Sequence, residues 1–162
     1  TGYDSGVWAV LFSSDGKTLL TADRSSVIKS WDITNLEDVT NLIESSDGIS
    51  SITLSPDGNL LAMATFQEVI LWDIPSQTEV SRLTGHATDV WNVAFSPDGT
   101  QIITTSDDQT AILWDTATGQ IIHQFTGHNA FLRDGQFSPD GTQLAIADTD
   151  LKIIFWDFQQ MK

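Results

Sequence analysis

Trp-Asp dipeptides recur along this chain at a nearly constant spacing. They occur at residues 31–32, 72–73, 114–115 and 156–157, which lie 41, 42 and 42 residues apart. Asp-Gly dipeptides repeat in the same way, with glycines at positions 16, 58, 99 and 141. Self-similarity at a fixed period of this length is the signature of a repeat architecture, in which each small unit stacks on its neighbours. The chain is therefore predicted to consist of four such units.

Each unit reads as short β-strands separated by tight turns. An Asp-Gly pair between two apolar or β-branched runs signals a hairpin, because glycine adopts a positive φ and the Asp side chain bonds within its own turn. In the third unit the predicted strands are 90–96, 101–106 and 111–114, with 79–83 before them. No stretch of the sequence holds the 3.6-residue apolar period of a helix. The predicted fold class is all-β.

The innermost runs of the repeats are almost continuously apolar. Residues 90–95 and 69–72 are examples, where a sheet with one wet face would alternate apolar and polar residues. Such strands are buried on both faces. This pattern predicts small sheets stacked face to face around an axis.

The third repeat resembles the WD-repeat β-propeller family. It carries Gly85-His86, the turn Pro97-Asp98-Gly99, Asp108 and Trp114-Asp115. The resemblance implies a β-propeller of four-stranded antiparallel blades, with residues 1–162 forming one propeller segment. The expected blades are approximately 1–43, 44–83, 84–125 and 126–162.

The resemblance also implies a structural tetrad of His, Ser or Thr, Asp and Trp in each blade. In repeat three the expected members are His86, Thr105 or its neighbour Thr104, Asp108 and Trp114. In repeat four they are His128, Asp150 and Trp156, with Ala147 in the hydroxyl position. Repeats one and two carry Tyr3 and Ser45 at the His position and lack the turn Asp, which Ser25 replaces in the first. Those two blades are expected to be held mainly by the packing of Trp31 and Trp72.

A neighbouring His, Asp and Thr also invite comparison with a catalytic triad. The resemblance instead assigns them to a buried hydrogen-bond relay that rigidifies the blade, so a non-catalytic protein without a cofactor is predicted. His123 lies outside the tetrad positions and is expected to face solvent. The acidic pairs at 107–108 and 148–150 lack the ligand spacing of a calcium loop, so no metal site is predicted.

Charge and composition restrict the partners. The 22 acidic and 7 basic residues give a formal net charge of −15, which opposes binding to the phosphates of nucleic acids and permits, without requiring, a basic partner. The longest apolar run is 7–12, far shorter than the roughly 20 residues of a membrane-spanning helix. With no cysteine and no signal sequence, a cytoplasmic location is predicted.

Partners of the resembled family usually dock on the narrow face of the propeller, through residues that flank the first apolar residue of each innermost strand. Here those positions are Gly6 and Trp8, Gly48 and Ser50, Asp89 and Trp91, and Phe131 and Arg133. The predicted function is a scaffold that binds a protein or peptide through Trp8, Asp89, Trp91, Phe131 and Arg133. The alternative that Trp8 and Trp91 are core residues between blades stays open.

Four blades of this kind cover about half of a closed ring. A blade face of roughly 300 Å² left in water forfeits on the order of 8 kcal/mol of apolar burial, so something is expected to cover both terminal faces. One solution is a homodimer that closes an eight-bladed ring; another is a longer protein that supplies further blades. An architectural module that only assembles with itself is the alternative function. Since few residues follow Asp157, blade four is expected to lack its outer strand.

Overall fold

The chain forms consecutive antiparallel sheets. The structure, a computed structural model, describes residues 6–23, 25–35, 39–45 and 48–158. The first sheet contains β1 (Val7–Phe12), β2 (Thr18–Asp23), β3 (Val27–Asp32) and β4 (Val39–Glu44). The second contains β5 (Ser51–Leu54), β6 (Leu60–Ala64), β7 (Glu68–Asp73) and β8 (Thr78–Thr84). The third contains β9 (Val90–Phe95), β10 (Gln101–Ser106), β11 (Ala111–Asp115) and β12 (Ile121–Phe125). The fourth contains β13 (Leu132–Phe137), β14 (Gln143–Asp148) and β15 (Ile153–Asp157).

The Asp-Gly turns close the first hairpin of every sheet. In the second sheet, the Ser55 hydroxyl donates to Asp57 Oδ1 at 2.5 Å and accepts from the Leu60 N–H at 2.9 Å. Gly58 has φ +76°, a conformation that costs glycine nothing and strains other residues. Serines 13, 96 and 138 make the same pair of bonds in the other sheets. The local sequence thus fixes the register of β1 with β2 and of its three counterparts.

The first strand of each sheet is the innermost one. Strand β1 contacts β5, β5 contacts β9, and β9 contacts β13, so the four sheets are blades that radiate from a line of neighbouring strands. All blades follow the strand order of the sequence. The predicted all-β class is confirmed, and the arrangement is that of a partial β-propeller.

Three apolar cores lie between successive blades. Trp114 and Ile102 of blade three pack against Ala62 and Leu71 of blade two. The other two junctions have the same orientation along the chain, with Trp72 facing blade one and Trp156 facing blade three. Each junction therefore joins the Trp-bearing face of one blade to the opposite face of the blade before it.

The two terminal blade faces have no neighbouring sheet among the described residues, and the ring is not closed. On blade one, Val10 and Phe12 are 63% and 59% exposed. On blade four, Ile153 and Phe155 are 61% and 66% exposed. Closure of these faces by a second chain stays a prediction.

Blade four has three strands within the described residues. After β15, the Phe158 side chain is buried and its ring meets that of Phe137 at 5.5 Å between centroids. The expected absence of an outer strand concerns residues that lie mostly outside the described ones and stays a prediction; among the described strands, β15 is at the edge of its sheet.

Candidate functional site

A continuous hydrogen-bond network crosses blade three. His86 Nδ1 lies 2.9 Å from Asp108 Oδ2, and its Nε2 lies 2.7 Å from Thr104 Oγ1. The indole N–H of Trp114 donates to the same Thr104 oxygen at 2.9 Å. This geometry suits a neutral imidazole that donates from Nδ1 to the carboxylate and accepts the hydroxyl proton at Nε2.

Burial governs the protonation of this network. It lowers the pKa of His86 even though Asp108 acts in the opposite direction. Burial alone would raise the pKa of Asp108, but hydrogen bonds from Thr110, Ala87 and His86 outweigh it and leave that pKa below its ordinary 3.8. The favoured form is therefore a neutral histidine beside a carboxylate.

The hydroxyl member of the tetrad is Thr104, and the prediction of Thr105 is corrected. Thr104 pairs with Ile112 and its side chain lies on the Trp114 side of the sheet. Thr105, one residue further, points to the opposite face, where its Cγ2 lies 2.8 Å from the position that a Cβ on Gly135 would take. Its buried hydroxyl has no partner. A shift by one residue reverses the side of a strand.

In blade four the carboxylate is Asp148, and the prediction of Asp150 is corrected. His128 Nδ1 lies 2.7 Å from Asp148 Oδ2, and that hydrogen bond lowers the pKa of Asp148. Asp150 is exposed, and its backbone N–H donates to Asp148 Oδ1 at 2.9 Å. Asp148 ends strand β14, two residues before the expected turn position, and still reaches the imidazole.

The network of blade four stops at the histidine. Leu144 pairs with Trp156 as Ile102 pairs with Trp114, so Ile146 occupies the hydroxyl position, and not Ala147 as expected. His128 Nε2 and Trp156 Nε1 are consequently buried without a hydrogen-bond partner.

Blade one contains part of the same hydrogen-bond network. In blade one, the Trp31 indole donates to Thr21 Oγ1 at 2.7 Å. Asp23 accepts from the N–H groups of Ser25 and Val27, as Asp148 does from 150 and 152. Ser25 does stand at the turn position in place of Asp, but Asp23 at the end of β2 supplies a carboxylate to this turn, which the sequence analysis missed; the matching Asp at the ends of β2 and β14 was the signal.

In blade two, Met63 occupies the hydroxyl position, and Trp72 Nε1 is buried without a partner. Ser45 donates its backbone N–H to the Ser26 carbonyl at 2.9 Å. Tyr3 lies outside the described residues.

The predicted binding residues gather on the rim where the innermost strands begin. Three of them are bulge residues. The ladder of β1 with β2 skips Trp8, that of β9 with β10 skips Trp91, and that of β13 with β14 skips Arg133. A β-bulge inserts an extra residue outside the regular pairing and redirects its side chain. These side chains are thereby released from the in-and-out alternation that would send them into the cores between blades.

An open cleft of about 250 Å³ lies at this rim between blades one, two and three. Its lining includes three of the predicted residues, Trp8, Asp89 and Trp91, together with Phe66, which sequence reasoning missed. The signal for Phe66 was an aromatic residue in the shortened turn between β6 and β7. The remaining lining residues are Gly48, Ile49, Ser50, Thr65 and Val90.

Arg133, the fourth predicted residue, connects the fifth, Phe131, to this cleft. Its guanidinium carbon lies 4.5 Å from the ring centroid of Trp91 and 5.8 Å from that of Phe131. Its Nη1 donates to Asp107 at 2.9 Å. The five predicted binding residues thus form one continuous patch, which we call the rim site together with Phe66.

The remaining predicted positions carry ordinary structural contacts. His123 is exposed, as expected, with its ring edge-on to Phe125 at 4.7 Å. Asp107 and Asp108 bond to Arg133 and His86, respectively. Within the described ranges, no group of three or more His, Asp or Glu side chains could hold a metal ion.

The period, the blade topology and the tetrad of blade three are those of one family. The WD domain, G-beta repeat family model matches residues 1–32, 77–115 and 119–157, more than half of the chain. The chain belongs to the WD-repeat family. The unmatched part of this WD-repeat protein contains most of blade two, where Met63 replaces the tetrad hydroxyl. No match to a curated protein accompanies this assignment.

Family membership bears on the type of function. WD repeats generally mediate protein–protein interactions, and the proteins that contain them are typically non-catalytic scaffolds. Among the residues that the structure describes, no helix is long and apolar enough to span a bilayer.

Proposed function

We propose that this protein is a non-catalytic scaffold that binds a protein or peptide at the rim site. The observation that carries the proposal is the coincidence of β-bulges with large side chains at one rim. Aromatic residues and arginine dominate the energetics of protein interfaces, and the rim site contains four aromatics and one arginine. Trp8 and Phe131 are 50% and 47% exposed, so a partner has apolar surface to cover.

The site is preorganised. Arg133 is held between Asp107 and the Trp91 ring, and Ser50 Oγ donates to the Val90 carbonyl at 2.5 Å across the junction of blades two and three. Side chains that are ordered before binding lose less entropy when the partner arrives. This favours recognition of a short segment by a rigid surface.

A pull-down with matched variants tests the proposal. The amount of each specific partner retained by the Trp8→Ala/Trp91→Ala double variant is expected to fall by at least about 10-fold. The reason is that hot-spot residues contribute 2 kcal/mol or more each to the binding free energy. Val80→Ala/Ile122→Ala is the control, since these apolar residues are about as exposed but lie on the outer strands β8 and β12. Retention of every specific partner by the rim variant contradicts the proposal.

Stability separates a surface role of Trp91 from a core role. Trp91→Ala is expected to cost less than about 2 kcal/mol of unfolding free energy, whereas Trp114→Ala, at a fully buried ring, is expected to cost about 3–5 kcal/mol. Urea denaturation of both variants measures the difference. Equal losses would assign Trp91 to the core.

Self-assembly is a second candidate function, favoured by the two open blade faces. The Trp-bearing face of blade one and the opposite face of blade four are the two kinds of surface that meet at all three internal junctions. Two copies joined head to tail would repeat that contact twice and form an eight-bladed ring. The same geometry would serve further blades of a longer protein.

Light scattering distinguishes these outcomes. A homodimer has twice the 17.8 kDa mass of the chain. Phe12→Glu on the open face is expected to return the dimer to a monomer, while Val80→Glu on an outer strand leaves it intact. A well-behaved monomer at a concentration of tens of micromolar contradicts self-assembly. That result does not bear on the rim site, which the pull-down tests separately.

A further inference from the structure

One pair of positions recurs at every junction between blades. The first lies on the innermost strand and pairs directly with the tetrad hydroxyl position of the same blade; we call it the inner position. Its members are Val10, Ile52, Val93 and Gly135. The second lies one residue after the hydroxyl position, on the second strand, and therefore points to the opposite face of the blade; we call it the facing position. Its members are Ala22, Ala64, Thr105 and Ala147.

At the first two junctions, a bulky inner residue packs against a facing alanine of the blade before it. Ile52 of blade two shares an apolar core with Ala22 of blade one. Val93 of blade three shares one with Ala64 of blade two. The small facing residue leaves room for the branched side chain that enters from the next blade.

At the third junction the two sizes are exchanged. The facing residue is Thr105, and the inner residue of blade four is Gly135. A Cβ at Gly135 would lie only 2.8 Å from Thr105 Cγ2, closer than real Cβ atoms approach. Because packed interiors tolerate neither voids nor overlaps, the inner and facing residues of each junction match in size.

The two open blade faces each carry one unmatched member of this pair. Val10 on blade one is 63% exposed, whereas its counterparts Ile52 and Val93 are buried. Ala147 on blade four is partly buried, whereas its counterpart Ala64 is fully buried. Valine opposite alanine is the combination that Val93 and Ala64 make inside the chain. The open faces of blades one and four therefore match each other in size.

The Asp-Gly turns repeat the pattern at one end of the same strands. A Cβ at Gly99 of blade three would lie 3.2 Å from Pro56 of blade two, and the turn glycines of blades two and four have similar neighbours in the preceding blade. At Gly16 of blade one, a Cβ would meet no described residue within 4 Å. The residue of blade four that corresponds to Pro56 is Pro139.

The apolar surface around Ala147 is uncovered as well. Ile153 and Phe155 are 61% and 66% exposed, whereas Ala111 and Leu113 at the same positions of blade three are buried beneath blade four. Two copies that meet head to tail cover both open faces of each copy. With about 300 Å² per face, a closed pair buries on the order of 1,200 Å² in total, which reaches the range of stable specific interfaces.

We propose that the open face of blade four binds blade one of a second copy of this chain, with Val10 of the second copy against Ala147, and that two copies close a ring in this way. This inference rests on the self-assembly candidate of the proposed function and adds the residues that meet. Blade one of the same chain is the occupant because its inner residue has the size that the facing alanine accepts.

A disulfide across the new junction tests the contact. Thr105 Cγ2 lies so near the Cβ position of Gly135 that the two Cβ atoms of this pair fall within the roughly 3.5–4.5 Å that a disulfide spans. The chain contains no cysteine. Val10→Cys/Ala147→Cys is therefore expected to form a covalent dimer on oxidation, visible on a non-reducing gel. Val10→Cys/Ala117→Cys is the matched control and is expected to stay unlinked, since Ala117 is exposed in the loop between β11 and β12.

Dissociation constants of the dimer test the size match. Ala147→Thr places a second branched side chain against Val10 and is expected to weaken the dimer by at least about 10-fold in sedimentation equilibrium. Adding Val10→Gly recreates the combination of Thr105 with Gly135 and is expected to recover at least about 3-fold of that loss. Ala117→Thr makes the same change of side chain outside both open faces and is expected to leave the dissociation constant unchanged.

The outcomes distinguish the contact from self-assembly as such. A dimer without the disulfide, or one that Ala147→Thr weakens no more than Ala117→Thr, overturns the inference, and self-assembly through another surface stands. If circular dichroism shows that Ala147→Thr is unfolded, the disulfide alone decides. A covalent ladder beyond the dimer overturns the closed pair. A monomer overturns the inference and the self-assembly candidate together, while the pull-down decides on the rim site independently.

Discussion

Blades three and four share a fold but differ in the hydrogen bonds inside it. In blade three, four side chains from His86 to Trp114 form an unbroken chain through Thr104. In blade four, the His128–Asp148 pair ends at an imidazole nitrogen without a partner, because Ile146 stands where a hydroxyl would be. The second and third strands of the two blades nevertheless pair in the same register.

The comparison separates packing from polar ordering. Trp156 still packs in the core between blades, with its ring 5.0 Å from that of Phe125. Apolar burial is therefore sufficient to form the blade, and the tetrad adds stability to a sheet that already exists. The unfilled polar atoms of blade four cost free energy that blade three does not lose.

The largest expected effect is the loss of the Thr104 hydroxyl. Thr104→Val leaves His86 Nε2 and Trp114 Nε1 buried without partners and is expected to lower the unfolding free energy by about 3 kcal/mol. Thr105→Val is the matched control, because its hydroxyl already lacks a partner, and it is expected to be neutral or slightly stabilising. Urea denaturation measures the unfolding free energy of both variants, and an equal decrease in the two would contradict the assignment of Thr104 as the tetrad hydroxyl.

The second test gives blade four the missing hydroxyl. Ile146→Thr loses apolar burial but provides a group within reach of His128 Nε2 and Trp156 Nε1. Ile103→Thr places the same hydroxyl among apolar neighbours of blade three. The first substitution is expected to be less destabilising than the second by about 2 kcal/mol, as judged by urea denaturation. A larger loss for Ile146→Thr would show that position 146 is not the counterpart of Thr104.

The third test uses pH. Burial lowers the pKa of His86 in the folded protein, whereas the unfolded chain takes up a proton near pH 6.5. The folded state is therefore destabilised as the pH falls below about 6.5, by at most about 1.4 kcal/mol per pH unit from this group. His86→Asn removes that contribution, so its urea midpoint should change less than that of the wild type between pH 7.5 and 5.5. Parallel profiles would contradict a neutral buried His86.

The smallest expected effect concerns the Asp-Gly turns, which contain the same hydrogen bonds in blades three and four. The Ser138 hydroxyl and the Thr142 N–H lower the pKa of Asp140 to about 2, and Ser96 lowers the pKa of Asp98 in the same direction. Stability from these carboxylates is complete above about pH 3.8 and is lost as the pH falls through the folded-state pKa. Ser138→Ala and Ser96→Ala should raise the two pKa values alike, as followed by carboxyl-carbon NMR titration. Unequal shifts would mean that the blades also differ at their turns.

The repeat pattern predicted most of the fold. The period located four sheets, and the Asp-Gly turns fixed the first hairpin of each, because both signals depend on residues adjacent in sequence. The open terminal faces followed from apolar strands at the two ends.

The site was predicted less completely, because its geometry depends on register. Thr104 and Thr105 are equally good tetrad members in sequence, and only the side of the sheet distinguishes them. Asp148 and Asp150 present the same ambiguity along a turn. The contribution of Phe66 required knowledge that the turn after β6 meets the start of β9, where the Val90 N–H donates to the Phe66 carbonyl at 2.9 Å.

The bulges at the innermost strands have a consequence for how such a protein can change. Positions 8, 91 and 133 lie outside the ladders, and they carry Trp, Trp and Arg on blades that otherwise pair alike. If the rim site binds a partner as proposed, new residues at these positions would alter what it recognises while the cores between blades keep their composition. Under the proposed function, a repeat architecture of this kind could therefore change its ligands one blade at a time, with the paired strands unchanged.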